Sequence, residues 1–302
     1  MSGPENSSCG FYALIGAPNV GKSTLVNRLV GAKVSIVSAK VQTTRTRVLG
    51  IALRDHAQII FIDTPGIFAP KRRLDRAMVA SAWGGVSDAD GVLLLIDAKR
   101  GITHETQAIM DGLKKQNRQV MLAINKIDLV QKHVLLDMAS KLSDTGLFTE
   151  IFMISAENGD GVDDLMDFLA ANVSPGPWMF PEDQISDMPS RLLAAEITRE
   201  KVFMQLHQEL PYAVTVETEK WEQRADGSAR VDQLIFVEKA GQKAIVLGKN
   251  GARIKQIGEA ARKELEELLG HRVHLFLFVK VREKWGDDPE RYRDWGLDFN
   301  AQ

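Results

Sequence analysis

The chain has almost no cysteine. Cys9 is the single one in 302 residues, so neither an intrachain disulfide framework nor a cysteine zinc site can form, which suits a reducing compartment. No apolar run approaches the roughly 18 residues of a membrane-spanning helix; the candidate run 92–96 has the length of a buried strand. Net charge is −2. The whole chain therefore has no bulk attraction to nucleic acid or anionic lipid, and any such binding must come from a local patch. Residues 1–10 lack the basic stretch and apolar core of a signal peptide and read as a polar, disordered tail. Proline is sparse except in one place: Pro175, Pro177, Pro181 and Pro189 fall within 174–189. That spacing forbids a long helix and predicts a semi-rigid linker. With 302 residues and 44% apolar content, a domain on either side of it is expected.

What is present begins with Gly16-Ala17-Pro18-Asn19-Val20-Gly21-Lys22-Ser23, continuing into Thr24. It fits G-x-x-x-x-G-K-[ST], the phosphate-binding P-loop, and it lies between an apolar strand (12–15) and a helix (24–30) with Gly31 placed to cap it. Gly16 and Gly21 let backbone amides converge on phosphate oxygens at a helix N-terminus. Lys22 would reach the β- and γ-phosphates, and the Ser23 hydroxyl would sit on Mg²⁺. A basic, non-periodic segment, 38–47, predicts a mobile loop. A strand over 46–53 is expected to pair antiparallel with the next, 58–62.

The 58–62 strand runs into Asp63-Thr64-Pro65-Gly66. D-x-x-G after an apolar strand, about 40 residues beyond a P-loop, is a nucleotide-switch pattern. Asp63 would hold a Mg²⁺-bound water, and the Gly66 amide would bond the γ-phosphate. Ile67 stands where many GTPases carry a glutamine that orients water, which predicts slow intrinsic hydrolysis. Helices are expected over 74–83 and 103–116, and strands over 92–97 and 120–124. The latter ends in Asn125-Lys126-Ile127-Asp128. N-K-x-D discriminates the base: Asp128 can accept from guanine N1–H and the 2-amino group, donors adenine does not offer in that arrangement. Asn125 can serve O6 or N7 and tie loops together, and the Lys126 stem can cover the base. After a strand at 151–154, Ser155-Ala156 would bring the Ala156 amide to guanine O6. A helix over 161–172 closes the unit. The fold class expected is α/β, a P-loop GTPase domain with a mostly parallel sheet and helices on both faces.

Beyond the linker the order is helix (191–210), strand (212–218), turn, strand (231–237), helix, Gly248-Lys249-Asn250-Gly251, helix (252–269) and strand (271–281). This is the α-β-β-α-α-β layout of a bacterial-type KH domain, an α+β fold. Its G-x-x-G turn clamps a nucleic-acid backbone between two helix ends. From Lys239 to Lys255 there are five basic residues and no acidic one. Gly248, Lys249, Asn250, Gly251, Arg253 and Lys255 are the candidate RNA contacts, with bases on the apolar groove beside them. Trp285, Tyr292 and Trp295 could stack bases, but pinning of the terminal segment is the favoured reading. The expected division is a tail (1–10), GTPase domain (11–173), linker (174–189), KH domain (190–283) and C-terminal tail (284–302).

Taken together, the P-loop, Gln42-Thr43-Thr44-Arg45-Thr46-Arg47, Asp63–Gly66, Asn125–Asp128, Ser155–Asn158 and the C-terminal Gly248–Gly251 turn resemble the Era-like family of bacterial ribosome-assembly GTPases over residues 10–285. The resemblance implies GTP and GDP binding, slow GTP hydrolysis, and binding of the 16S rRNA 3′ end during maturation of the small (30S) subunit. It implies a monomer in the cytoplasm with partial peripheral association at the inner membrane. It implies that Thr44, rather than Thr43, closes over Mg²⁺, and that Lys22, Thr44 and Gly66 form the catalytic set. It further implies that Asn19 supports a K⁺ ion in place of an arginine finger. Two other readings stand beside this one. One is a passive, nucleotide-stabilised RNA-binding placement factor with little functional hydrolysis. The other is a metabolic P-loop kinase, which the N-K-x-D motif disfavours.

Overall fold

A computed structural model describes residues 6–38, 40, 43–116, 118, 120–206 and 213–301. They divide into two compact units: residues up to Asp187 together with those from Tyr292 on, and Met188–Arg291.

The first unit alternates strand and helix: β1 (Ser8–Ile15), α1 (Lys22–Val30), β2 (Val48–Arg54), β3 (Ala57–Asp63), α2 (Arg73–Asp88), β4 (Gly91–Asp97), α3 (His104–Lys115), β5 (Val120–Asn125), α4 (Lys132–Ser143), β6 (Phe148–Ile154) and α5 (Val162–Asn172). One six-stranded sheet runs β2-β3-β1-β4-β5-β6. Every pairing in it is parallel except β2 with β3, which run antiparallel across the short turn at Asp55 and His56. The central strands are apolar at nearly every position because helices cover both faces. Leu14, Leu25, Phe61 and Leu165 pack on one side; Ile15, Leu94, Ile109 and Leu142 pack on the other. The parallel strands thus deliver the loops after β1, β3, β5 and β6 to one edge.

Several boundaries differ from the sequence expectation. Ser8, Cys9 and Gly10, placed in the tail, pair with Ala57, Gln58 and Ile59 and begin β1; residues 1–5 lie outside the described set. The α4 helix has no counterpart in the sequence reading. Its signal is weak because only Leu135 and Leu142 are buried while Val134 and Leu136 are exposed. The α2 helix extends past Trp83 to Asp88 through Gly84-Gly85, two residues that disfavour a helix interior. A side chain on Gly84 would meet the tip of the Arg47 side chain, which lies on the helix and donates through Nε to Ser81 O at 2.9 Å.

The proline-rich segment is not a free spacer. Pro175 bridges Ser8 and Ser186 bridges Gly50, Ile51 N–H donates to Ile185 O at 2.9 Å, and Leu49 N–H donates to Asp187 Oδ1 at 3.1 Å. Gln58, fully buried, accepts from Met179 N at 2.8 Å and Phe180 N at 3.0 Å and donates to Phe180 O at 2.8 Å. The segment is therefore laid along the first unit by backbone bonds together with the side chains of Gln58 and Asp187.

The second unit comprises α6 (Ser190–Gln205), β7 (Val214–Gln223), β8 (Ala229–Val237), α7 (Ala240–Leu247), α8 (Ala252–Leu269) and β9 (Val273–Val281). Its sheet runs β7-β8-β9, with β7–β8 an antiparallel hairpin and β8–β9 parallel. Val202, Val214, Ile235, Val246, Ile257 and Val279 form its core. Helix α6 ends at Gln205, short of the expected 210; residues 207–212 lie outside the described set, as does Gln42 in the basic loop.

Beyond β9, Trp285 is buried and its Nε1 donates to Ala213 O at 3.0 Å. A last short helix, α9 (Pro289–Asp294), carries the fully buried Tyr292. Burial removes both rings from base stacking and favours pinning. Phe299, still further along, lies with its ring centroid 4.3 Å from the Arg73 guanidinium. No helix among the described residues is long and apolar enough to cross a membrane.

Candidate functional site

The loop between β1 and α1 is held in conformations that few side chains tolerate. Gly16 has φ +153°, and a Cβ there would lie 2.6 Å from Leu95 O. Gly21 has φ +101° and would strike the Asn125 amide. Asn19 adopts φ 66°, the left-handed region that asparagine accepts better than most residues. The loop therefore curls along a cleft lined among others by Asn19, Lys22, Ser23, Thr24, Thr44 and Gly66. Val20 points away: its side chain is in the core, and its carbonyl accepts from Asn125 Nδ2 at 2.8 Å.

Lys22 is buried and donates from Nζ to Gly16 O and Ala17 O, each at 3.2 Å. Burial pushes its pKa down to about 8, partly offset by the charge of Asp63. Asp63, at the end of β3, is also fully buried. Its Oδ2 accepts from Ser23 Oγ at 2.7 Å, Ser35 Oγ at 2.7 Å and Thr44 Oγ1 at 3.4 Å, and Ser23 and Thr44 lie 2.9 Å apart. Burial raises the carboxyl pKa, opposed by these hydroxyls and by Lys22. Asp63 Oδ1 is buried without a hydrogen-bond partner. Residues from three sequence stretches thus supply hydroxyl and carboxylate oxygens around one point. Among the described residues no group of three or more His, Cys, Asp and Glu side chains is placed to hold a metal. A cation here would rest on one carboxylate, hydroxyls, water and the phosphates themselves, the ligand set Mg²⁺ favours. The donor set fits it.

Thr43 lines the same cleft, with its hydroxyl 2.7 Å from Lys40 O and from Ser38 Oγ. Gly66 packs against Pro18, which a Cβ would approach to 3.0 Å. Ile67 donates its N–H to Gly16 O at 3.1 Å, and its side chain is buried in the core.

A second cleft adjoins the first and shares Gly21 and Thr24 with it. Asn125, Lys126, Asp128 and Ala156 line it. Asn125 is buried and joins two loops, donating to Val20 O and accepting from Ala156 N–H at 2.9 Å. Lys126, at φ 66°, lays its stem along the cleft and donates from Nζ to Asn19 O and to Asp97 Oδ2, each at 2.7 Å. Asp128 is exposed, and Ser155 Oγ donates to its Oδ1 at 2.6 Å.

Four contributors escaped the sequence reading: Ser35 on Asp63, Asp97 on Lys126, Arg28 on the Ala156 loop, and Arg100, whose Nη1 donates to Pro18 O at 3.1 Å. Only Asp97 had a usable signal, an acid ending an apolar strand as Asp63 does.

In the second unit, Gly248 (φ 71°), Asn250 (φ 52°) and Gly251 (φ 76°) reverse the chain between α7 and α8. A Cβ on Gly248 would lie 2.7 Å from Arg253 Cβ. Lys249, Asn250 and Lys255 are exposed, and so is Ile245 at the end of α7. Arg253 has a structural task, donating from Nη1 to Ile245 O at 2.6 Å and so bracing the turn.

Comparison with known proteins agrees with both halves. The family described as "50S ribosome-binding GTPase" matches residues 11–126, and the KH domain family matches 209–286. The chain is 63% identical to the GTPase Era of Agrobacterium fabrum and 61% identical to that of Rhizobium meliloti, in each case over 99% of this chain and 95% of the relative. A crystal structure of Era in complex with MgGDPNP and nucleotides 1506–1542 of 16S ribosomal RNA superposes with TM-score 0.91 at 40% identity, covering 96% of this chain and 99% of that one.

Proposed function

This chain belongs to the Era family of GTPases, and we propose that it is a GTP-operated switch that binds the 3′ region of 16S rRNA and assists maturation of the small (30S) ribosomal subunit. The observation that carries the nucleotide half is the junction of two clefts at Gly21 and Thr24, one lined by phosphate-type groups and the other by base-reading groups.

In this reading the amides of the 16–24 loop cradle the phosphates, Lys22 faces the β- and γ-phosphates, and the Gly66 amide meets the γ-phosphate. Ser23, Thr44 and, through water, Asp63 hold Mg²⁺. When bound, Mg²⁺ neutralises charge that gathers between the β- and γ-phosphate oxygens. Asp128 accepts from guanine N1–H and the 2-amino group, the Ala156 amide meets O6, and Lys126 covers the base. Ile67 is buried and cannot orient the attacking water, so that task falls to backbone groups near Thr44 and Gly66, and hydrolysis is slow. Asn19 lines the phosphate cleft and would support a K⁺ ion there. K⁺, when bound, supplies positive charge where other GTPases use an arginine.

The RNA half rests on the exposed, basic G-x-x-G turn, whose amides and lysine side chains fit a single-stranded phosphate backbone. The solved relative bound to 16S nucleotides supports the same target. The proposal has the protein working as a monomer in the cytoplasm, with partial peripheral association at the inner membrane.

Asp128→Asn should weaken GTP relative to xanthosine triphosphate, because the amide donates to the extra carbonyl of xanthine; unchanged preference removes the guanine assignment. Lys249→Asp with Asn250→Asp should abolish 16S 3′-end binding and leave GDP affinity intact. Single-turnover hydrolysis with Lys22→Ala as control separates a switch from a passive placement factor. A K⁺ role predicts faster turnover in K⁺ than in Na⁺, and equal rates remove it.

A further inference from the structure

Arg28 lies in the last turn of α1, outside every motif. A basic residue there is ordinary, since it complements the helix dipole. The guanidinium, however, is aimed at another loop. Nε donates to Ala156 O at 3.3 Å, and Nη2 donates to Glu157 O. The peptide on the other side of Ala156 is held by Asn125, which accepts from Ala156 N–H at 2.9 Å. Both peptide planes flanking this one Cα are therefore tied, one from inside by a motif residue and one from outside by Arg28. The two anchors share an origin. Asn125 bonds Val20 O just before α1, and Arg28 is carried by α1 itself, the helix whose first turn presents Lys22 and Ser23 to the phosphates.

We propose that Arg28 is a positioning residue for base selection: by bonding the carbonyls of Ala156 and Glu157 it fixes the Ala156 backbone so that its N–H, which donates to Asn125 Oδ1, is shared in a three-centre bond with the 6-oxo group of guanine, at a distance set by the phosphate helix. The inference rests on the guanine reading above. Without this strap the loop retains the Asn125 bond but gains freedom about the Ala156–Glu157 peptide. The amide then meets the 6-position less sharply, whereas Asp128, anchored through Ser155, still reads N1–H and the 2-amino group.

The test uses the full chain and three nucleotides. 6-Thio-GDP changes only the 6-oxygen, to a larger and weaker acceptor; IDP lacks only the 2-amino group. Dissociation constants are measured for wild type, Arg28→Met, which keeps the aliphatic stem, and Arg28→Lys. In Arg28→Met the preference for GDP over 6-thio-GDP should fall by about tenfold, the order expected for one well-placed hydrogen bond. Its preference for GDP over IDP should stay at the wild-type value. Arg28→Lys, able to reach one carbonyl, should recover part of the loss. An unchanged 6-thio ratio in Arg28→Met overturns the inference. So does a parallel fall of both ratios, which would mark Arg28 as a general brace of the fold. If wild type itself binds 6-thio-GDP as tightly as GDP, the Ala156 base assignment fails first and this inference falls with it.

Discussion

Lys22 and Asp63 show how much of the site's chemistry resides in single buried groups. The ammonium of Lys22 is desolvated by the loop that carries it, and its pKa falls to about 8. A lysine lowered on folding binds fewer protons in the folded than in the unfolded chain between that value and the ordinary 10.5. Its penalty is thus present below about pH 8 and fades as pH rises toward 10.5, so nucleotide-free stability should gain from this group over that window. Phosphate reverses the bias by favouring the charged ammonium. GDP binding should take up a proton above about pH 8, and affinity should weaken with further rise, whereas near neutrality uptake should be small. Titration calorimetry in buffers of different ionisation enthalpy measures this directly. Asp63 runs the other way: burial raises its carboxyl pKa, so Mg²⁺ affinity should drop as acidification protonates the group. Arg28 belongs to the same scale, since one guanidinium links the phosphate helix to the base loop.

Two elements contain residues that local propensity argues against, and in both a neighbour lies close against the residue. In helix α2, Arg47, at the exit of the basic loop, lies across Gly84. Alanine at that position should add about 1 kcal/mol of helix propensity but displace Arg47. Denaturant unfolding of Gly84→Ala, Arg47→Ala and the double variant tests this. The alanine at 84 should stabilise in the Arg47→Ala background and gain little or nothing in the native one. The turn between α7 and α8 is the second case. Gly248→Ala places a methyl 2.7 Å from Arg253 Cβ in a positive-φ residue. It should cost about 1–3 kcal/mol and lower rRNA affinity without changing GDP affinity, as filter binding and GDP titration would show. Helix α4 illustrates ordinary packing. Leu142 is fully buried, and Leu142→Ala should cost about 2–5 kcal/mol in urea unfolding.

At the scale of the whole molecule, the proline-rich segment turns out to belong to the first unit. Gln58 alone makes three backbone bonds to it, and further bonds tie it to β2, the strand that leads out of the Thr44 loop. The chain first passes from one unit to the other after Asp187, within the 174–189 segment. Limited proteolysis of the native protein should spare 175–187. Gln58→Ala, which strips Met179 and Phe180 amides of their acceptor, should open that stretch to cleavage and speed exchange of those two amides. Resistance unchanged from wild type would show that the prolines suffice. Comparing rRNA affinity in GDP and in a non-hydrolysable GTP analogue then shows which nucleotide state favours RNA.

The nucleotide loops, the N-K-x-D turn, the mostly parallel sheet and the KH layout were legible in the sequence. Their determinants are contiguous: a glycine at a positive φ, an apolar run the length of a strand, a turn between two helices. These local constraints act whatever the rest of the chain does. The path of the proline-rich segment, the start of β1 at Ser8, the burial of Trp285 and Tyr292, and the supporting shell of Ser35, Asp97, Arg28 and Arg100 depended on tertiary structure. Arg28 and Ala156 stand 128 positions apart, and no periodicity relates them. Strand order β2-β3-β1-β4-β5-β6 brings the β1–α1 and β6–α5 connections to the same edge of the sheet. Only then do a guanidinium on one helix and two carbonyls on a distant loop become neighbours.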